Sequence, residues 1–312
     1  MPAVLLLLAA PLRAQTPAPA APAQAAPAPA DDIIVSARLS GAPIWTATRD
    51  GRRLVLVGAL EPVPKGLDWN VVPLEQAAAR ADRVLYPVSA SFSVGDVFRL
   101  LFRGGKITDL PKGRTIADYL PPPLMARLER VMAAEKSDEW RRKSPVILAF
   151  RLLGRHAGLA RGGRSIRDVV ADSARRAGVP GRSIGTVRGK EVIDNLMAQD
   201  PAAYRDCMAA SIAAAEAGRD AAADRADAWR ARDIPALLAD PLDTALSRCW
   251  PWADPAIGPR LKRNWTDALD TALAAPGTTL AVAPARLAAE PGGLLDRLAA
   301  AGYAVDGPRW RD

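Results

Sequence analysis

The sequence predicts a single α/β domain built on a mixed β-sheet flanked by helices, and three observations carry that prediction. The apolar runs Ile44–Thr48 and Arg53–Val57 are separated by Arg49-Asp50-Gly51-Arg52, and Asp-Gly between two such runs is a strong hairpin signal. A helix-like stretch over 73–82 is followed by the strand-like run Val84–Ser89, the alternation that marks an α/β fold. The last third reads helix, strand, helix, strand, which argues for a mixed sheet covered by helices.

In chain order, the first helix has proline at an early position and Glu75 in its opening turn, where the exposed amides favour an acid. Thr115 to Gly158 is helical. Ser137-Asp138-Glu139 opens one helix and Ser144-Pro145 another, as N-cap and first-position residues do. Ser165 to Ala177 is an amphipathic helix closed by Gly178. Arg182 to Val187 reads as a strand. Asp200-Pro201 opens a long Ala-rich helical region that runs, with breaks, to Leu238. Pro255 to Ala275 is a helix stopped by Pro276-Gly277, and Thr278 to Ala283 a strand. Pro291 to Ala301 is a helix ended by Gly302, and Tyr303 to Val305 a short final strand. Gly104-Gly105 and Gly162-Gly163 read as turns, since neither carries a phosphate-loop pattern.

Residues 1–15 read as an export signal: an apolar run from Val4 to Ala10, then Leu12 and Ala14 at signal-peptidase spacing. That run is too short to span a bilayer. No Lys or Arg precedes it, which leaves room for a start codon upstream. Residues 16–31 are almost wholly Pro and Ala and read as a disordered linker, because such a segment cannot offset its ordering entropy. The domain is then expected over 32–312. No transmembrane segment is expected beyond the signal, so the protein is predicted to be periplasmic or secreted. The chain has two cysteines, and in an exported protein Cys207 and Cys249 are expected to pair; two buried thiols are the alternative. The net charge of +8 comes from scattered arginines without interleaved aromatic residues, so no nucleic acid is expected as a partner. Weak contact with an anionic membrane surface or envelope polymer stays open.

The sole histidine, His156, follows a helix, where a basic group suits the exposed carbonyls, and no acid or nucleophile is adjacent in sequence. No Gly-x-Ser-x-Gly elbow is present. The eight tryptophans are mostly far apart and read as core anchors. Trp250-Pro251-Trp252 is the exception: it either walls a cleft or seals the core around Cys249.

Two segments carry a resemblance. Residues 45–69, WTATRDGRRLVLVGALEPVPKGLDW, and residues 263–305, from Arg263-Asn264 through Gly293-Leu294-Leu295 to Gly302-Tyr303-Ala304-Val305, resemble the opening and closing units of the TraB/GumN family, which includes the TIKI proteins. Trp229 to Leu237 resembles a connecting motif of that family. The similarity covers most of residues 43–306 and is weakest between 90 and 180. It implies the family's fold and a metal-dependent hydrolase or protease site, in which two strand-end histidines and nearby carboxylates hold a divalent ion that activates water.

This chain departs from that pattern where the chemistry would lie. Gly58 is kept, but the first histidine position holds Glu61. Ala283 replaces the second motif glycine, and Arg286 stands at the second histidine position, with Leu287 retained. Carboxylates that the resemblance places near Tyr86-Pro87 and Thr186-Val187 are missing; Arg263 and Asn264 are retained. A guanidinium is always charged and has no lone pair for a metal. No metal or other cofactor is therefore expected. Glu61 and Arg286 are expected either to pair with each other or to stand apart as solvated charges. With the export signal, the resemblance thus points to an exported protein with a degenerate site (Glu61, Arg286, Arg263, Asn264) and a non-catalytic binding or scaffolding role toward an envelope protein or peptide. The alternative is a hydrolase with a histidine-free site around Glu61, Arg286 and Arg263.

Overall fold

The structure is a computed structural model that describes residues 41–160 and 162–311, apart from the side chains of Leu100 and Arg103. The expected export signal (1–15) and Pro/Ala linker (16–31) lie outside the described residues.

Strands β1 (Ile44–Arg49) and β2 (Arg52–Ala59) form the expected hairpin, with Asp50 and Gly51 at φ of 48° and 73°. Two positive φ angles in a two-residue loop match the twist of the flanking strands, which is why Asp-Gly is found there. The elements that follow are α1 (Val72–Ala79), β3 (Arg83–Tyr86), β4 (Ser89–Ser91), α2 (Val94–Arg103) and α3 (Gly105–Thr108). Next come α4 (Pro122–Met132), α5 (Pro145–Arg155), α6 (Ile166–Arg176), β5 (Gly181–Ser183), β6 (Thr186–Arg188) and α7 (Gly189–Ala198). The Ala-rich region supplies α8 (Arg205–Ala217), α9 (Ala221–Arg230), α10 (Ile234–Ala239) and α11 (Pro241–Arg248). The chain closes with α12 (Ile257–Ala274), β7 (Gly277–Pro284), α13 (Ala285–Ala289), α14 (Leu294–Ala300) and β8 (Ala304–Asp306).

Six strands form one mixed sheet in the order β5-β3-β7-β2-β1-β8. The first four run parallel, and β1 is antiparallel to both of its neighbours. Successive side chains of a strand point to opposite faces. Val55 and Val57 of β2, with Leu280 and Val282 of β7, pack beneath α1, α6 and α9; Leu54, Leu56, Ala281 and Ala283 pack on the other face beneath α12 and α14. A parallel core covered on both faces explains the near-continuous apolar runs of β2 and β7. Trp45, Trp229 and Trp265 are fully buried, each contributing on the order of 5 kcal/mol of gross apolar stabilisation. A third, helical layer joins α4, α5 and α8 and contains the Cys207–Cys249 disulfide, with Cα atoms 4.6 Å apart. None of the described helices is long and apolar enough to cross a membrane.

One expectation is corrected, one is refined, and one helix falls where the sequence raises none. The single strand expected over 182–187 is two. β5 joins the main sheet, and β6 pairs with β4 in a separate parallel ribbon that prolongs the β3–β5 pair past its carboxyl end. Gly185 makes the break; a Cβ there would lie 2.7 Å from the Asn264 amide nitrogen, so the chain is held in close approach to α12. The turn expected at Gly104-Gly105 is confined to Gly104 (φ −57°, ψ −32°), and Gly105 opens α3. Finally, α2 falls in a stretch for which the sequence raises no expectation, although its apolar residues recur at three- and four-residue spacing.

Candidate functional site at the carboxyl edge of the sheet

Parallel strands that end together gather their following loops at one edge, where open α/β sheets place their ligand sites. Here β2 and β7 are in register with Gly58 opposite Ala283 and Ala59 opposite Pro284. Glu61 and Arg286 each lie three residues beyond such a partner, so the register brings the two motif positions to the same edge. Gly58 is needed there for packing. A Cβ would stand 2.9 Å from the buried Trp45 ring and 3.3 Å from Ala285 Cβ, while the Gly58 carbonyl accepts a 2.8 Å hydrogen bond from Trp229 Nε1.

The carboxylate that pairs with Arg286 is Asp243. Arg286 Nε donates to Asp243 Oδ2 at 2.7 Å, and its Nη2 donates to the Leu238 carbonyl and to Thr244 Oγ1. Arg225 Nε donates to the other oxygen, Oδ1, at 2.9 Å, and Arg225 Nη2 reaches the Glu61 carbonyl at 3.3 Å. Glu61 therefore enters the cluster through its backbone, while its side chain is exposed. The side chains of Arg225 and Asp243 are only 8% and 5% exposed, and that of Arg286 is 19% exposed. The resulting Arg–Asp–Arg bridge ties α9, α11 and the start of α13 together directly beyond the strand ends. Beside it, Asp240 caps α11 by accepting the Asp243 amide; burial pushes its carboxyl above the usual range, against the pull of the Asp243 amide and Arg225.

The other expected residues are dispersed. Asn264 is half-buried against Gly185, near the ribbon. Arg263, one residue earlier on α12, is exposed and lines neither of the cavities described below. The positions where the resemblance calls for carboxylates are apolar walls: Tyr86 ends β3, and Pro87 and Val187 line a cleft. Burial raises the pKa of the Tyr86 hydroxyl above its ordinary value, partly offset by Arg167 and Arg175. No acid adjoins His156 in sequence, but the fold brings a more distant one near it. Its Nε2 lies 3.4 Å from Glu135, which also binds Arg151 and Arg155 in the helical layer.

The cleft has a volume of about 340 Å³ and opens between the ribbon, α7 and α12. Trp250, Trp252 and Trp265 line it together with Phe92, Val187 and Val192, so the Trp250-Pro251-Trp252 segment does wall a cleft. Both readings of that segment hold, since Trp250 also packs against the layer containing Cys249. Trp252 and Pro284 are shared with a second cavity of about 310 Å³, lined by Arg248, Lys262, Arg286 and Glu290. An apolar slot thus adjoins a mainly basic one. Such a pair can take a molecule with an apolar body and a polar or anionic end, oriented by guanidinium donors.

The donor set does not suit a divalent cation. Arg286 brings a fixed positive charge to the strand edge, and both oxygens of Asp243 are already held by guanidinium groups. Among the described residues no group of three or more His, Cys, Asp or Glu side chains is arranged to hold a metal ion.

These features define an α/β protein with its candidate site at the carboxyl ends of a parallel sheet core, where a basic cluster meets an aromatic cleft. The profile of the TraB/PrgY/gumN family matches residues 43–307, and the chain belongs to that family. Searches of curated proteins and of solved structures found no match.

The sequence alone did not single out Asp243 or Arg225. Asp243 stands in Asp240-Pro241-Leu242-Asp243, which reads as an ordinary helix start with an acid in its first turn. Its partners lie 18 residues before and 43 residues after it, and no local pattern links them.

Proposed function

We propose that this protein is an exported, non-catalytic member of its family that binds a partner or ligand at the carboxyl edge of its sheet. The observation that carries this reading is the locked Arg286. Its guanidinium is fixed by Asp243, Leu238 and Thr244, and stands where the family resemblance puts a metal-binding imidazole. A fixed cation repels a divalent ion and supplies neither a base nor a nucleophile. The apolar cleft beside it retains the means to bind. The disulfide suits a periplasmic or secreted location, since such bonds persist in oxidising compartments.

The test pairs metal analysis with turnover. Purified protein incubated with zinc, manganese or cobalt and then dialysed is expected to retain well under one equivalent. A broad peptidase and esterase screen is expected to give the same background for the native chain and for Glu61→Gln. Stoichiometric metal retention overturns the reading. So does turnover that Glu61→Gln abolishes, which would establish a hydrolase working through Glu61.

A further inference from the structure

The helix α2 is built the wrong way round for a soluble domain. Amphipathic helices normally turn their apolar stripe to the core. In α2 the residues Val94, Val97, Phe98, Leu101 and Phe102 share one face, and with the preceding Phe92 they are between 53% and 84% exposed. Among the described side chains of α2 the buried one is charged. Asp96 is 5% exposed and accepts from the backbone N and the Oγ of Ser93, both at 2.8 Å. It packs on the start of α7 so closely that a Cβ at Gly189 would lie 2.7 Å from its carboxylate and 2.5 Å from the Phe92 ring. The polar edge of the helix is therefore anchored, and its apolar face is held outward. An apolar patch of this continuity marks an interaction surface.

Charge selects the occupant. Between Ser91 and Arg114 the sequence has Arg99, Arg103, Lys106, Lys112 and Arg114 against Asp96 and Asp109. Asp96 is buried and pairs with Arg99 at 3.7 Å, Asp109 is bound by Lys143 at 2.7 Å, and Arg114 pairs with Asp118 at 3.2 Å, so the excess of positive charge rests on Arg103, Lys106 and Lys112. Arg188 and Lys190 border the same helix; Lys190 is paired with Asp194. A twofold contact with a second copy would set these cations against their own equivalents, whereas an anionic surface complements them.

We propose that α2 lies in the plane of an anionic lipid surface, with its outward Phe, Leu and Val side chains inserted at the headgroup boundary and the basic residues contacting the lipid phosphates. At ten residues the helix is about 15 Å long, half of what a bilayer core requires, so it lies flat rather than crossing. Lys and Arg stems on such a helix extend along apolar surface and leave their charges at the headgroups. The cleft shares Phe92 with this face, so its mouth opens beside the membrane. The proposal holds whether or not the Arg286 cluster is catalytic.

Co-flotation of the full chain with vesicles of phosphatidylcholine containing one-third phosphatidylglycerol tests it. Binding is expected to exceed that to pure phosphatidylcholine and to weaken as salt is raised. Phe98→Glu with Phe102→Glu is expected to lower it by at least about tenfold. Both residues are exposed, so the thermal midpoint should not change; Phe98→Leu with Phe102→Leu should restore most of the binding. Failure of the native chain to bind the anionic vesicles overturns the proposal. Equal binding by the native chain and the Glu variant, which would assign the affinity to the apolar run at residues 4–10, also overturns it. A concentration-dependent dimer in sedimentation that the Glu variant abolishes would assign the face to a second copy and overturn it as well.

Discussion

Replacing Asp243 by Asn isolates the part of the site that no local sequence pattern reveals. The side chain keeps its shape but loses its charge and one of two acceptor oxygens, so it cannot satisfy Arg225 and Arg286 together. Two guanidinium groups, 8% and 19% exposed, lose the carboxylate that they share. Each close charge pair is worth about 4 kcal/mol at an effective dielectric of about 20. Partial exposure of Arg286 and repulsion between the two arginines in the native protein lower the sum, and breaking a buried pair costs about 3 to 5 kcal/mol in general. We expect Asp243→Asn to cost about 3 kcal/mol in urea unfolding followed by tryptophan fluorescence, for which the buried Trp229 is the natural probe. The triple variant Arg225→Met, Asp243→Leu, Arg286→Met removes all three charges and is expected to lose less than the single one. A cost under about 1 kcal/mol for Asp243→Asn, or a triple variant less stable than the single, would refute the picture of a desolvated bridge.

Three further outcomes follow from other parts of the molecule. The Cys207–Cys249 bond spans 42 residues, and chain-entropy reasoning gives about 4 kcal/mol for a loop of that size; the double Cys→Ala variant should show a loss approaching that value in chemical unfolding. Gly58→Ala places a methyl group against the immobile Trp45 ring and is expected to cost about 1 to 3 kcal/mol, read as a lowered denaturation midpoint. Hydrogen bonds from Trp310 Nε1 and the Gly292 amide, with help from Arg311, hold the Asp296 carboxyl below the usual range. Its stabilising contribution is complete above the unfolded pKa of about 3.9 and is lost as pH falls through the lower folded value, so Trp310→Phe should flatten the acid limb of a stability–pH curve.

Local chemistry made much of the fold legible. Asp50-Gly51 specified a turn because both residues accept positive φ, and Pro276-Gly277 marked the end of α12 because proline cannot continue a helix and Gly277 takes a φ of 95°. The pairing of Cys207 with Cys249 followed from there being just two cysteines in a chain read as exported. The positions Glu61 and Arg286 came from the family resemblance alone, and the register of β2 with β7 carries both to one edge of the sheet.

What the sequence by itself determined, then, was the order and type of most elements and the hairpin turn at Asp50-Gly51. Each of these depends on a residue's own backbone preferences or on a short repeat. Only the tertiary structure decided that Asp243 bridges Arg286 and Arg225, that Pro87 and Val187 line a cleft with Trp250 and Trp252, and that α2 turns its apolar face outward. Ion pairing and exposure depend on which distant segments meet. A helical period of apolar residues states that one face differs from the other, but the surrounding packing determines which face is buried.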